Sequence, residues 1–250
     1  MYEQMCEKIF NKLKDFQIAI LGFFIFLAII IGTHTLTDNL GRKGISVTGT
    51  AYETVKSDSA NWQVQLNSRA KSNKQAYSII KNQIPIVKNY LIANGIKEEN
   101  IEIAPASSSP VYKIDPDTGY TTNDISYYSY SQSIKIISDN VELIKKLSTD
   151  IQELINQGVE LNSFPPEYQY SKLAELKIQL LEEATQDSRN RAQAMLKSSH
   201  NRVGKISSIR MGVFQITPPD SNEVSDMGIN DLTSIDKKVT AVANVFYQIK

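Results

Sequence analysis

Few side chains in this sequence could bind a metal ion or act as a catalytic base. There are two histidines, His34 and His200, and one cysteine, Cys6. Metal sites need clustered His, Cys, Asp or Glu ligands. His200 falls at the end of a predicted helix, where an imidazole favours the helix dipole. The sequence therefore predicts no metal site, and a single cysteine forms no intramolecular disulfide.

Two short motifs contain residues that act elsewhere as nucleophiles or calcium ligands. ASSSP, residues 106–110, has serines outside the Gly-x-Ser-x-Gly context of a hydrolase, and His200 would be their only base. DPDTG, which begins at Asp115, lacks the later ligands of a calcium loop and is predicted to be a hairpin turn. No phosphate-binding glycine motif occurs. We therefore expect no catalytic residue and no cofactor.

The segment ISYYSYSQS contains the residues that we select as a candidate interface. Tyr127, Tyr128 and Tyr130 place aromatic rings on both faces of one predicted strand. Cross-strand packing would explain them. A subunit or ligand contact would explain them too, because tyrosine combines an apolar ring with a polar tip. Both interpretations stay open at this point.

An uncharged segment near the N-terminus predicts a membrane anchor. Residues 16–36 read FQIAILGFFIFLAIIIGTHTL, and a helix rising ~1.5 Å per residue over this length spans a hydrocarbon core of ~30 Å. A cleavable signal peptide has a shorter apolar region that ends at small residues. Because no clean Ala-x-Ala site interrupts the segment, we predict an uncleaved transmembrane helix.

Charged residues predict the orientation of this anchor and limit the partners. Three lysines lie in the tail, residues 1–15, while Arg42 and Lys43 end a linker over residues 37–43. The positive-inside rule then makes the tail cytoplasmic and the domain over residues 44–250 extracytoplasmic, on a bacterial inner membrane. The 27 basic and 27 acidic residues of the chain cancel, so we expect no nucleic-acid partner.

The clearest strand pattern lies in residues 60–70, ANWQVQLNSRA. Apolar or small residues alternate with polar ones, which predicts a half-buried antiparallel strand. Leu66 falls on the buried side of this strand and Gln65 on the solvent side. With residues 45–54 the segment is predicted to form a hairpin that turns at residues 55–59.

Three segments have helical spacing of apolar residues, at residues 72–94, 139–158 and 172–200. Pro85 predicts a kink or a helix in two pieces, and Asp139 is the predicted N-cap of the second helix. Because hairpins alternate with helices, the predicted fold class is α+β: an N-terminal single transmembrane helix, then a mainly antiparallel sheet with three helices.

Two further features concern the edges of this sheet. Pro105 and Pro110 interrupt an extended segment, which predicts an edge or bulged strand. The terminal strand, residues 237–250, has apolar residues on both faces, Val242 and Phe246 lying opposite the others. Such strands need cover from the chain's own helices or from a neighbouring subunit, so we expect a homo-oligomer.

Three segments resemble the SIMPL-domain family of bacterial envelope proteins. They are ISVTGTAYETV, ATQDSRNRAQAMLKSSHNRVGKISSIRMG and VTAVANVFYQI, and the resemblance covers residues 44–250. The residues that carry it are Gly49, Ala184, Asp187, Arg191, Ala192, Gly204, Lys205 and Ile206. It implies a SIMPL-like fold, a place in the cell envelope and a loose link to stress defence, in a family whose biochemical role is mostly unknown.

The sequence thus predicts a membrane-anchored protein whose domain binds or self-assembles and does not catalyse. One alternative is a periplasmic ligand-binding or sensing module, whose ligand the sequence does not identify. Such a module would contain a concave apolar pocket with a few converging polar groups. A second alternative is an unrecognised hydrolase, which needs ionisable groups of perturbed pKa in a cleft.

Overall fold

The computed structural model describes residues 20–33 and 44–250. Residues 20–33 form a helix, α1. Among the described residues no helix is both long enough and apolar enough to cross a membrane. The other parts of the predicted anchor, residues 16–19 and 34–36, lie outside the described residues. The predicted tail and linker also lie outside them.

Eleven strands and three further helices follow in the described chain. The strands are β1 Gly44–Lys56, β2 Ser59–Ala70, β3 Ile101–Ile103, β4 Ser107–Ile114, β5 Thr121–Ser138, β6 Leu161–Ser163, β7 Glu167–Gln169, β8 Val203–Met211, β9 Gln215–Thr217, β10 Ile229–Asn230 and β11 Asp236–Ile249. The helices are α2 Asn73–Ala93, α3 Val141–Asp150 and α4 Leu173–Lys197, with 3-10 turns at Glu98–Asn100 and Ile151–Gln157. The predicted α+β class is confirmed.

The strands form two sheets, so the prediction of one sheet is wrong. The first sheet has the order β1-β11-β9-β10, and β8 also pairs with β11. The second has the order β3-β5-β2-β6, with β4 on β5 and β7 on β2. Every pairing in the second sheet is antiparallel, whereas β9 and β10 pair in parallel. The mainly antiparallel character is as predicted.

The first two strands of the domain do not pair with each other. Only Ser57 and Asp58 join β1 to β2, yet the two strands belong to different sheets. The predicted hairpin is therefore wrong. The favoured two-residue hairpin turns need positive φ, which neither residue has. Instead the N–H of Ser57 donates to the carbonyl of Ile235, and that of Asp58 to the carbonyl of Gln169.

The faces of β2 are as the alternation predicted. The buried side is fully or almost fully inaccessible and consists of Ala60, Trp62, Val64, Leu66 and Ser68. The intervening residues are exposed or half-buried. Leu66 lies opposite Gln132 of β5, and the neighbouring Gln65 opposite Ser133. This face packs with α2 and α3 around a shared apolar core.

Two details of the helices differ from the prediction. Helix α2 runs without interruption through Pro85, which lies on its exposed side, so the helix is not in two pieces. Asn140, not Asp139, is the N-cap of α3, because its side-chain oxygen accepts from the N–H of Leu143 at 3.1 Å. The predicted second helix also changes into a 3-10 turn at Ile151.

The chain divides into two compact units. In the part of the chain that the structure describes, one comprises the residues up to Gly49, Gln186–Arg210 and Asn244–Lys250, and the other comprises Thr50–Thr185 and Met211–Ala243. The buried residues of helix α4 recur at every fourth position, a spacing close to the 3.6-residue period of an α-helix. These residues are Leu176, Leu180, Ala184, Ser188, Ala192 and Leu196.

Candidate functional sites

The first candidate site is the ribbon that β4 and β5 form. Residues 128–138 of β5 pair with β2, but residues 121–127 pair only with β4 among the described strands. β3 and β4 are separate short strands that pair only with β5 in the described chain, and the register of β4 shifts on both sides of Tyr112. The predicted edge or bulged strand is therefore confirmed, but only Pro105 interrupts it, since Pro110 lies within β4 and pairs with Tyr128.

The three candidate tyrosines lie where this ribbon leaves the sheet, and all three are half-buried. Tyr130 lies opposite the buried Ser68, and its ring centroid is 5.8 Å from that of Tyr77 on α2. The guanidinium of Arg69 lies 5.8 Å from the ring centroid of Tyr127 on the other face. Tyr130 and Tyr127 thus have packing partners within the domain, and their role as an interface stays a prediction.

One face of the ribbon carries apolar residues that the sequence reading did not select. Val111 lies opposite Tyr127, and Tyr112 lies opposite Ile125. The register shifts between Val111 and Tyr112, so alternation does not place these two pairs on one side. The cross-strand partners Tyr112 and Ile125 share a face, and we call this pair the ribbon face. Tyr112 is 43% exposed and Ile125 41% exposed. The period-two pattern around Ile125 was the signal that could have revealed this face.

The turn at the end of the ribbon is held by Asp115. Its Oδ1 accepts from the N–H of Asp117 at 2.9 Å and from that of Thr118. The bond from Asp117 contributes most to lowering the pKa of Asp115 below its ordinary value. Gly119 completes the turn with φ of 72°. The predicted hairpin turn is confirmed.

The second candidate site is a cavity of about 280 Å³ in the unit that contains the ribbon. Apolar and aromatic side chains form most of its wall: Val55, Tyr168, Tyr170, Leu173, Ile216, Leu232 and Val239. Gln169, Asn230, Asp231 and Lys237 supply its polar atoms. This composition is typical of a small-molecule site, although the volume is at the lower end of the usual range.

Two oppositely charged side chains meet at the wall of this cavity. The Lys237 side chain is 4% exposed and that of Asp231 is 9% exposed, with Nζ and Oδ2 separated by 4.0 Å. Lys237 Nζ donates to the backbone carbonyl of Asp231. Asp231 Oδ1 accepts from the N–H and the hydroxyl of Thr233 at 2.8 and 2.7 Å. Oδ2 is buried, and it has no hydrogen-bond partner among the described residues.

The environment affects the pKa of both groups. Burial raises the pKa of Asp231, but hydrogen bonds from Ser234 and Thr233 and the charge of Lys237 outweigh it, so the pKa is lowered overall. Burial lowers the pKa of Lys237, and the carboxylate of Asp231 opposes this shift. The sequence reading missed the pair. The sequence feature that could have revealed it is the spacing in β11: Lys237 falls on the same side of the strand as the buried Val239 and Ala241.

The residues that carried the family resemblance have structural roles where their contacts are known. Arg191 Nε donates to Asp187 Oδ2 at 2.7 Å across one turn of α4, the i,i+4 arrangement of a helical ion pair. A Cβ atom on Gly204 would lie 2.7 Å from the backbone oxygen of Gln248. Both contacts act within the fold and offer no chemistry.

The other residues considered for chemistry are dispersed. Ser107–Ser109 lie on β4, where they are exposed. His200 follows α4 with φ of 58°, and its N–H donates to the carbonyl of Lys197 at 3.4 Å. In the part of the chain that the structure describes, no group of three or more His, Cys, Asp or Glu residues could hold a metal ion. His34 and Cys6 lie outside that part.

Comparison with known proteins gives one family. The sequence model of SIMPL, described as a protein of unknown function (DUF541), matches residues 45–247. This match confirms the resemblance that the three sequence segments carried. No curated protein matches the chain.

Proposed function

Since this chain belongs to the SIMPL family, whose function is unknown, we propose its function from its geometry. We propose a non-catalytic, self-assembling protein of the bacterial cell envelope, held to the inner membrane by its N-terminal segment. The observation that carries the proposal is the ribbon face, an exposed apolar surface on a two-stranded extension of the second sheet.

The ribbon has properties that favour cover by another chain. A two-stranded hairpin is at best marginally stable in water without a packed face. Residues 121–127 of β5 present a strand edge with no partner among the described strands. Tyr112 and Ile125 expose apolar surface beside that edge. An open edge next to apolar side chains is a template for pairing with a further strand.

A second copy of the chain is the partner that these features favour. Antiparallel pairing of two identical edges produces a two-fold symmetric contact, the commonest arrangement in homo-oligomers. If the N-terminal segment anchors each copy, the ribbons lie at equal heights above the membrane. Tethering also raises their effective concentration. A weak edge contact then suffices for assembly.

Ile125→Asp is expected to weaken self-association at least tenfold. When the two edges pair, residue 125 lies beside side chains of the partner strand, so a carboxylate there would lose part of its water, at a cost above the ~1.4 kcal/mol that corresponds to a factor of ten. The measurement is sedimentation equilibrium of the full-length chain in density-matched detergent over a hundredfold concentration range.

Ile137→Asp is the matched control for this experiment. Ile137 belongs to the same strand, is 45% exposed, and lies opposite Asn61 in the sheet away from the ribbon. This variant should associate like the unchanged protein. A mass that stays monomeric for the unchanged chain contradicts self-assembly, and equal weakening by both variants contradicts the ribbon as its contact.

The proposed anchor rests on the sequence of residues 16–36. Helix α1 contributes 14 of these residues, which span only ~21 Å, whereas the whole uncharged segment would span ~31 Å as a helix. We expect the full-length chain to stay in the membrane fraction after a carbonate wash. A mature form that begins near residue 33 or 35 and is released by osmotic shock would show a cleaved signal peptide instead.

A further inference from the structure

We infer that the cavity beside Lys237 and Asp231 binds a small neutral molecule with a hydroxyl group on an apolar body. This inference is independent of the proposed assembly, because the ribbon contributes no residue to the cavity. It begins from an unpaired polar atom. Asp231 lines the cavity, and its Oδ2 is buried and lacks a hydrogen-bond donor among the described residues.

A carboxylate oxygen in this position is costly for the empty protein. A buried polar atom without a partner retains its desolvation cost, whereas the other oxygen, Oδ1, has donors from Thr233 and Ser234. A ligand that supplies one donor to Oδ2 therefore gains a charge-assisted hydrogen bond, which is stronger than a neutral one.

The spacing of the two charged groups selects the kind of polar group. Oδ2 and Nζ are 4.0 Å apart, so a single oxygen atom can lie ~2.8 Å from both. Such an oxygen would donate its hydrogen to Oδ2. It would also accept from Nζ, since an ammonium has three N–H donors and the Asp231 carbonyl takes one. A hydroxyl does both with one atom.

The charges also favour a neutral group over an ionised one at this position. Lys237 would repel a bound ammonium, and Asp231 would repel a bound carboxylate. The formal charges of the pair cancel, so a neutral group that both donates and accepts is the best match. Water satisfies the same requirement, and it is the competitor that any ligand must displace.

The rest of the wall distinguishes a ligand from water. Val55, Ile216 and Val239 are buried side chains that border the cavity, and apolar walls favour an apolar occupant. At the ~30 Å³ that each water occupies in the liquid, about 280 Å³ corresponds to roughly nine waters. That volume accommodates a single substituted ring.

The test compares 4-methylphenol with its methyl ether, 4-methylanisole. The two share an apolar body, but only the phenol can donate to Asp231. We expect the phenol to bind at least tenfold more tightly in isothermal titration of the full-length chain in detergent micelles, with protein-free micelles as the blank. Binding of neither probe, or equal binding of both, would overturn the inference.

Asp231→Asn localises the effect. The amide keeps one oxygen for Thr233 but replaces the unpaired acceptor with a donor, so the preference for the phenol should fall to less than threefold. Asp226→Asn is the control: it makes the same change at an exposed position of the same segment, outside the cavity. It should keep the full preference, and a loss in both variants would contradict the assignment. The preference in the unchanged chain tests the inference even if Asp231→Asn fails to fold.

Discussion

Leu66→Asp is expected to unfold the unit that contains the second sheet. Leu66 is 0% exposed in the centre of β2, between β5 and β6. Removing a buried leucine costs about 2–5 kcal/mol, and burying a carboxylate in its place adds several more. The sum approaches the whole stability of a domain, about 5–15 kcal/mol. Circular dichroism during urea unfolding would show the loss of the folded baseline.

Gln65→Asp is the matched control. It introduces the same residue at the neighbouring position, whose side chain lies on the opposite face of β2. Gln65 is half-buried beside Ser133 and Asn162, so its replacement should cost less than about 1 kcal/mol. Leu66→Ala should give a measurable intermediate loss. Equal effects of the two aspartates would contradict the assignment of the faces, since a strand alternates its side chains.

Gly204→Val is expected to lower the free energy of unfolding by about 3 kcal/mol, at the upper end of what overpacking costs. Valine has a higher strand propensity than glycine, so propensity alone would predict a more stable protein. The reason is close approach: a Cβ atom would lie 2.7 Å from the Gln248 oxygen and 3.1 Å from its carbonyl carbon. Backbone atoms cannot rotate away as a side chain can.

Ser208→Val tests this explanation in the same strand. Ser208 is exposed on β8, so valine there should be neutral or slightly stabilising. Thermal and urea unfolding of both variants would give the comparison. A Gly204→Val protein as stable as the unchanged chain would contradict this explanation. It would mean that β8 can move away from Gln248 of β11 at little cost.

The sequence was most informative where the determinants are local. The period-two pattern of residues 60–70 predicted both the strand and its buried side, and the residues DPDTG predicted the hairpin turn at Asp115. In both cases neighbouring residues decide the outcome. The apolar positions, the residue types and their separations are all visible within a dozen residues.

The sequence was less informative where distant segments decide. Nothing within residues 44–70 shows that β1 pairs with β11, because the choice depends on a strand from the other end of the domain. The cavity was missed for the same reason. Asp231 and Lys237 are close in sequence, but the wall beside them comes from β1, β7, β9 and α4 as well. The alternation of residue types in β5 identified the three tyrosines. It did not identify Val111, because the register of β4 shifts next to this residue.

The pairing of β1 with β11 has a consequence for how the domain is made. β1 leaves the ribosome before the rest of the domain, while its partner strand ends at Ile249. Until residues 236–249 have been synthesised, β1 lacks that partner and presents a bare strand edge to neighbouring chains. Closing so long a loop is also slow. The first sheet therefore completes only after residues 236–249 have been synthesised, and chains truncated before residue 236 are expected to aggregate.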